Sequence, residues 1–167
     1  MIAGKVPTEN LSFGNLKRIE SKIELPAGRG KLAGVMQHVL YTDAAARRDL
    51  AAVSAGESGP SAVLIPIAKS SAWWAMAQDE RSRCFHGASQ AKGHYAIGAA
   101  YAGQIFRRLY HARYLPGAEW DFLTYFEFPR ERAGLFRQLL SELRDPELNP
   151  EWSFVERELE IWLLKRG

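Results

Sequence analysis

Residues 94–128 read HYAIGAAYAGQIFRRLYHARYLPGAEWDFLTYFEF, and this stretch carries the clearest strand pattern in the chain. Two segments within it, 104–113 and 121–128, are rich in aromatic and apolar side chains. They flank a turn that contains Pro116 and Gly117. Two such runs around a turn predict a β-hairpin, in which successive side chains point to opposite faces.

The sidedness of the first hairpin strand separates two adjacent arginines. Alternation places Arg107 on one face together with Leu109 and His111. The same alternation places Arg108 on the opposite face together with Tyr110. One arginine is therefore expected to face the open side of the sheet, and the other the helices or solvent.

The segments around the hairpin complete a six-element pattern. The apolar run 61–68 predicts a buried strand, and most of 69–89 predicts helix. A second helix is predicted to begin at Pro129, with a buried face formed by Phe136, Leu139, Leu140 and Leu143. Residues 152–165 predict a last strand, one side of which would carry Val155, Leu159, Ile161 and Leu163. The order strand, helix, strand, strand, helix, strand is that of a ferredoxin-like βαββαβ unit, an α+β fold.

The first 60 residues predict part of a second, shortened unit. Strands are expected over 10–24 and 34–41, with a short helix after Thr42 or Asp43. We therefore expect a single domain over 1–167, with a trimmed N-terminal half (1–60) and a complete ferredoxin-like half (61–167). The open face of the sheet needs a cover, which a second sheet, a partner chain or a flat cofactor would provide.

Composition narrows the functional classes. The 167 residues carry a net charge of +3 without a clustered basic patch, which disfavours nucleic acid as a partner and is compatible with a small anionic substrate. The single cysteine, Cys84, excludes an internal disulfide. No run approaches the roughly 20 apolar residues of a membrane span. The N-terminal residues lack the pattern of a signal peptide, so we expect a cytoplasmic protein, or a periplasmic one if a leader has been removed.

One constellation of residues suggests chemistry. His94 lies among glycines and alanines that would allow close approach of a planar ring, and Arg107 follows thirteen positions later. With Thr124 and Phe126 on the returning strand, these residues are compatible with a haem slot that has an axial imidazole, a cation and an apolar wall. An axial histidine also needs an acceptor for its second ring nitrogen, and Glu151 is a candidate. The same residues are compatible with a core histidine and a solvated arginine pair, and the spacing does not decide between the two.

Two further features also have two interpretations. Trp73 and Trp74 are either core anchors or walls of a cofactor slot. Lys69 is either a surface residue or a partner for a haem propionate. A CxxCH motif is absent, so any haem would be held without covalent attachment.

Six pieces of the chain, in the family's order, resemble the short members of the chlorite dismutase family. The pieces are LIPIAKSSAWW (64–74), QDER (78–81), HYAIG (94–98), RRLYH (107–111), DFLTYFEF (121–128) and EWSFVERELEI (151–161). They lie between residues 64 and 161, whereas the first 60 residues match only loosely. The resemblance implies a ferredoxin-like α+β barrel, haem b (iron protoporphyrin IX), a homodimer, and the decomposition of chlorite to chloride and dioxygen.

The resemblance also assigns roles on the proximal side of the haem. His94 falls on the iron ligand, and Glu151 falls on the carboxylate that orients it. Lys69 falls on a lysine of the same network. Tyr41 matches a tyrosine near a propionate.

On the distal side, Arg107 falls on the flexible catalytic arginine of the family. Thr124 and Phe126 fall on the distal wall. Trp73 and Trp74 fall on tryptophans near the haem or at the subunit contact.

Three other functions remain open from the sequence. The first is a non-catalytic haem carrier or sensor, and the second is a peroxidase-like haem protein of the same superfamily. The third is a cofactor-free αβ-barrel oxygenase. Arg107 and the short chain favour chlorite decomposition, because the related coproheme decarboxylases lack the distal arginine and the dye-decolourising peroxidases are much longer.

Overall fold

The computed structural model describes Gln37–His38 and residues 58–87, 91–115 and 117–164. The strands are β1 (Gln37–His38), β2 (Ser61–Lys69), β3 (Phe106–His111), β4 (Phe122–Phe128), β5 (Val155–Glu158) and β6 (Ile161–Leu164). The helices are α1 (Ser71–Ala75), α2 (Gln78–His86), α3 (Gly93–Ala100) and α4 (Ala133–Arg144). Two 3₁₀ turns cover Arg130–Arg132 and Pro150–Phe154.

The six strands form one antiparallel sheet with the order β1-β3-β4-β2-β5. β6 also pairs with β2, alongside its N-terminal half, whereas β5 pairs with its C-terminal end. The last two strands therefore lie end to end along one edge of β2. From β2 onward, the strand order and the crossing helices are those of the predicted ferredoxin-like α+β unit, and this prediction is confirmed.

The register of the central strands defines a helix-bearing face. Val63 pairs with Phe126, and Ile65 pairs with Thr124. Val63, Ile65 and Phe126 pack with residues of α3 and α4 in the main core, and Ile97 and Phe136 are the most deeply buried members from these helices. The buried face of α4 is the predicted one, and it comprises Phe136, Leu139, Leu140 and Leu143. Burial of apolar area at about 25 cal/mol per Å² is the main force that fixes these helices on the sheet.

The opposite face of the sheet carries a second cluster. Ala62, Tyr110, Tyr125 and Leu163 are buried there. Glu127 is buried on the same face and accepts a hydrogen bond from the hydroxyl of Tyr125 at 2.6 Å. The two faces of β4 are therefore both buried, which explains its nearly continuous apolar sequence.

Two predicted elements are wrong in detail. The helix predicted over 69–89 is two helices, because Met76 and Ala77 adopt extended backbone angles between α1 and α2. The strand predicted over 152–165 begins with a 3₁₀ turn and breaks between β5 and β6.

The prediction that the apolar residues from Val155 to Leu163 share one side of the last strand is also wrong. An irregularity at Ala68/Lys69 and the break after β5 interrupt the alternation. Val155 pairs with Lys69, whereas Leu163 pairs with Ala62 on the opposite face.

Helix α3 was not among the predicted elements, although its alanine-rich sequence is typical of a helix. In the N-terminal region, the predicted strand 34–41 contains β1. The other elements predicted before residue 58 lie outside the described residues. No helix in the described part of the chain is long and apolar enough to cross a membrane.

Candidate functional site

A cavity of about 1070 Å³ lies on the helix-bearing face of the sheet. β2, β3 and β4 form one side of it, and α1, α2 and α3 contribute to the other. This volume is in the range of pockets that hold a ligand of drug or cofactor size. The sequence analysis offered a flat cofactor as one possible cover of the open face of the sheet, whereas the cavity lies on the other face, between sheet and helices.

His94 presents one ring nitrogen to each of two charged partners. It lies in the first turn of α3, where its Nδ1 is 2.8 Å from Oε2 of Glu151. Its Nε2 is 2.7 Å from Nη2 of Arg107. A guanidinium has no lone pair to offer, so Nε2 must be the acceptor. His94 is therefore neutral, with its proton on Nδ1 and directed at Glu151.

The electrostatics agree with a neutral imidazole. Burial is the main cause that lowers the pKa of His94, and the nearby Arg107 lowers it further. Glu151 opposes both effects without reversing them. The ring of Phe85 stacks on that of His94, with 5.2 Å between centroids, and this contact fixes the ring plane.

Glu151 bridges His94 to Lys69. Its Oε1 lies 2.8 Å from Nζ of Lys69, which also donates to the backbone oxygen of Glu151 at 3.1 Å. Burial opposes the charge of Glu151, but His94 and Lys69 outweigh it and hold the pKa of that carboxyl well below its usual range. Lys69 is only 7% exposed, which excludes a surface role for it. The buried Lys69 and the partly buried Glu151 and His94 thus form a continuous chain of contacts, here called the proximal triad.

Two glycines set the position of His94. Gly87 and Gly93 adopt positive φ angles of 78° and 75°. A Cβ on Gly93 would lie 2.4 Å from the backbone nitrogen of Gly87, so no side chain fits between the end of α2 and the start of α3. The N–H of Gly93 donates to the oxygen of Leu148 at 2.9 Å. These contacts fix the first turn of α3 beside the segment that carries Glu151.

Arg107 faces the cavity from β3, as strand alternation predicts. It pairs across the sheet with Phe126, and its Cζ lies 5.8 Å from that ring. Gly98 lies one helical turn after His94, and a Cβ there would be 3.3 Å from Nη1 of Arg107. Burial lowers the pKa of Arg107 to about 10, so it stays cationic at neutral pH. Arg108 pairs with Tyr125 on the opposite face.

Arg107 has no carboxylate within ion-pair distance among the residues that the structure describes. Its close polar contact in that part of the chain is the imidazole of His94. A half-buried cation without an anionic partner is unfavourable, and a small anion that enters the cavity would provide that partner.

The two predicted wall residues lie at different depths. Thr124 lines the cavity. Phe126 is 2% exposed and packs against Phe136, with 5.1 Å between ring centroids. Phe126 therefore lies beneath Arg107 in the core and supports the wall from behind.

The two neighbouring tryptophans, Trp73 and Trp74, also differ in burial and in packing partners. Trp73 is 6% exposed and packs on Phe154, and Nζ of Lys69 lies 4.7 Å from its ring. Trp74 stacks on Phe122 with 6.0 Å between ring centroids. Both tryptophans line the cavity, which favours the cofactor-slot interpretation over that of core anchors alone. Tyr41 lies outside the described residues.

Asp121 is a functional candidate that the sequence reasoning missed. Its Oδ2 accepts the backbone N–H of Lys69 at 2.6 Å and the indole N–H of Trp74 at 3.3 Å. Its Oδ1 accepts from Arg113 at 2.8 Å, and Arg113 in turn covers the Trp74 ring at 3.9 Å. Asp121 therefore ties the end of β2 to the tryptophan wall. The sequence feature that could have identified Asp121 is its position directly before β4, the second strand of the hairpin.

A comparison of folds places this geometry in a known family. The dimeric chlorite dismutase from Nitrobacter winogradskyi superposes with a TM-score of 0.67 and 41% sequence identity, over 79% of this chain and 75% of that one. The chain belongs to the chlorite dismutase family. No family model matches the chain.

Chlorite dismutases from Candidatus Nitrospira defluvii show the same fold. The structure in complex with imidazole has a TM-score of 0.57 and 28% identity, over 72% of this chain and 46% of that one. A tryptophan variant in complex with cyanide has a TM-score of 0.63 and 24% identity, over 80% and 53%, and shows the fold alone. This chain matches only about half the length of the Nitrospira proteins.

The donor set fits a haem iron. Among the described residues, no group of three His, Cys, Asp or Glu side chains converges as a ligand set for a metal ion. His94 instead offers one neutral nitrogen, Nε2, while Glu151 holds Nδ1 in the manner typical of metal-binding histidines. An iron that a macrocycle already coordinates needs only such an axial ligand from the protein. In this chlorite dismutase family member, the other cavity walls would enclose the macrocycle.

Proposed function

We propose that this protein is a haem b enzyme that decomposes chlorite to chloride and dioxygen. One observation carries the proposal. A half-buried guanidinium, Arg107, has no carboxylate partner in the described structure and faces a neutral imidazole whose second nitrogen lies 2.8 Å from the Glu151 carboxylate. Family membership and this arrangement together support a site for haem and a small anion.

The proximal triad would hold and tune the cofactor. His94 would ligate the iron through Nε2, and Glu151 would keep the proton on Nδ1 and make the ring more electron-donating. Lys69 keeps Glu151 ionised and in place. When bound, the haem supplies the iron redox chemistry that breaks and forms bonds to oxygen.

Arg107 would bind the anions. Its guanidinium keeps its charge at any working pH and donates two parallel N–H bonds to an oxyanion. It would attract chlorite and then retain hypochlorite, the small anion that must recombine before it diffuses away. Thr124 and the apolar side chains beside it exclude water and thereby strengthen that electrostatic attraction.

The test compares two adjacent arginines in the haem-loaded protein with an oxygen electrode. A hydrogen bond to a charged group is worth about 1.5–3 kcal/mol, so Arg107→Ala should lower turnover by roughly 10- to 100-fold without abolishing it. Arg108→Ala is the matched control and should behave like the wild type, because it lies on the other face of the sheet.

Escape of hypochlorite gives a second readout. The Arg107→Ala protein should lose its haem absorbance in fewer turnovers, and a hypochlorite scavenger should protect it more than the wild type. If Arg108→Ala were the damaging change and Arg107→Ala silent, the proposed role of Arg107 would be wrong.

Oxygen evolution also separates the alternatives. A non-catalytic carrier or sensor would bind haem and release no oxygen from chlorite. A peroxidase-like protein would turn over hydrogen peroxide with a reducing substrate instead. A cofactor-free oxygenase would stay colourless after haem is supplied.

We also propose that the protein is a homodimer built from single domains over 1–167. The Nitrobacter relative is dimeric. Trp162 on β6 is 43% exposed and is available for a subunit contact. Trp73, which the sequence offered as a further contact residue, is already buried within its own chain.

A further inference from the structure

The contact between Arg107 and His94 involves Nε2 of His94, which is the atom that would ligate the iron under the proposed function. Nη2 of Arg107 lies 2.7 Å from Nε2 of His94, so the nitrogen lone pair is already engaged. We propose that Arg107 is a built-in occupant of this nitrogen in the cofactor-free protein, and that haem must displace it before the iron can bind. This inference rests on the proposed function and adds a loading step to it.

The contact satisfies two half-buried groups at once. Nε2 of His94 is available to a donor, since Nδ1 lies 2.8 Å from Glu151. The guanidinium needs an acceptor, and the described residues offer it no carboxylate. Leaving either group unpaired in a half-buried place would be unfavourable. The two therefore stabilise each other for as long as no ligand is present.

The surroundings make room for this position. Gly98 faces the guanidinium, and even a methyl group there would lie 3.3 Å from Nη1. The Cζ of Arg107 lies 5.8 Å from the ring of Phe126 beneath it. The side chain thus spans the space from β3 to α3 along the wall of the cavity. The cavity extends from this contact toward Trp74 and His111, so a displaced guanidinium has room to move.

Displacement lowers the apparent affinity for haem in a predictable way. A ligand that binds only the open state is weakened by the fraction of molecules that are open. A hydrogen bond from a charged donor shifts that fraction by roughly 10- to 100-fold. Once released, Arg107 would be available to bind the substrate anion.

The first measurement uses the wild-type protein without cofactor. In the ¹⁵N-labelled chain, the guanidinium protons of Arg107 should show nuclear Overhauser contacts to the ring of His94. The Nε2 resonance of His94 should report an unprotonated nitrogen that accepts a hydrogen bond. Neither readout requires haem or activity.

The second measurement is stopped-flow association of haem with the cofactor-free protein. Arg107→Leu should bind haem roughly 10- to 100-fold faster than the wild type at the same haem concentration. Arg108→Leu is the matched control and should bind at the wild-type rate. Circular dichroism of each variant checks that the fold is retained.

The outcomes separate this inference from the function on which it rests. If haem binds to all three proteins at equal rates, Arg107 does not restrict loading and the inference is wrong, while the haem site stands. Absence of the Arg107–His94 contact in the wild type would overturn it as well, whatever the variants do. If haem binds to none of the proteins, the proposed function fails and the loading step fails with it.

Discussion

Replacing Glu151 by glutamine tests the proximal triad directly. The change keeps the size of the side chain but removes the charge that faces Lys69 at 2.8 Å. Lys69 and Glu151 are both largely buried, with side chains 4% and 12% exposed. Removing one partner of a buried ion pair leaves the other charge without compensation, which typically costs about 3–5 kcal/mol.

The expected loss is large enough to measure without cofactor. For a chain of this size, 1 kcal/mol corresponds to about 2–4 °C, so the melting temperature should fall by about 6–20 °C. Urea unfolding of the cofactor-free protein at pH 8 gives the free energy of unfolding itself.

A double-mutant cycle separates the ion pair from a local packing effect. Lys69→Met alone leaves Glu151 as an unpaired carboxylate, so it should also destabilise. Glu151→Gln combined with Lys69→Met removes both charges and should be markedly more stable than the sum of the single changes predicts. If the losses of stability in the two single variants simply add up in the double variant, the buried ion pair is refuted.

The same pair predicts a pH dependence with a definite sign. The pKa of Glu151 is lowered in the folded protein, so its contribution to stability is fully present above the unfolded value of about 4.3. It is lost as the pH falls below that value toward the folded pKa. The difference between wild type and Glu151→Gln should therefore shrink as the solution becomes more acidic than about pH 4.3.

Three further predictions concern ligand, backbone and assembly. His94→Ala should sharply weaken haem binding in a spectroscopic titration, and retention of a histidine-ligated spectrum would point to His86 or His111 instead. Gly93→Ala should destabilise the fold by more than the roughly 1–2 kcal/mol of left-handed strain alone, and should weaken haem binding, because its Cβ would overlap the neighbouring backbone. Gly103→Ala is its control, since that glycine has a similar φ of 76° and open space around it, so only the strain should register in urea unfolding. Light scattering at micromolar concentration should give twice the chain mass of 18.8 kDa, and a monomer would exclude the proposed dimer.

The sequence predicted the sheet well where its periodicity was regular. The hairpin strands β3 and β4 pair without a bulge, so the alternation assigned Arg107 and Arg108 to the correct faces. The same rule failed after Val155, because a bulge and a strand break depend on tertiary packing that the local pattern does not contain. No local pattern marks Met76 as the boundary between two helices.

The contacts expected among three of the site residues are observed, whereas their roles toward haem stay a prediction. His94, Glu151 and Lys69 converge as the family resemblance implied. The role of Asp121 was not predicted, because its partners lie far from it in sequence and reach it only through the folded sheet. Alternation places a side chain on a face, but it does not specify what the side chain touches there.

The sheet positions Arg107, and a short helix positions the imidazole of His94 opposite it. Arg107 projects from a central strand whose register is fixed on both faces, and a slip of one residue would replace it by Arg108. The imidazole opposite comes from a short helix whose position depends on two glycine backbones in contact. The backbone of Arg107 is thus held by strand pairing on both sides of β3, while its long side chain carries the guanidinium to His94. Under the proposed function, the same reach lets one arginine contact His94 before haem binds and a small anion afterwards.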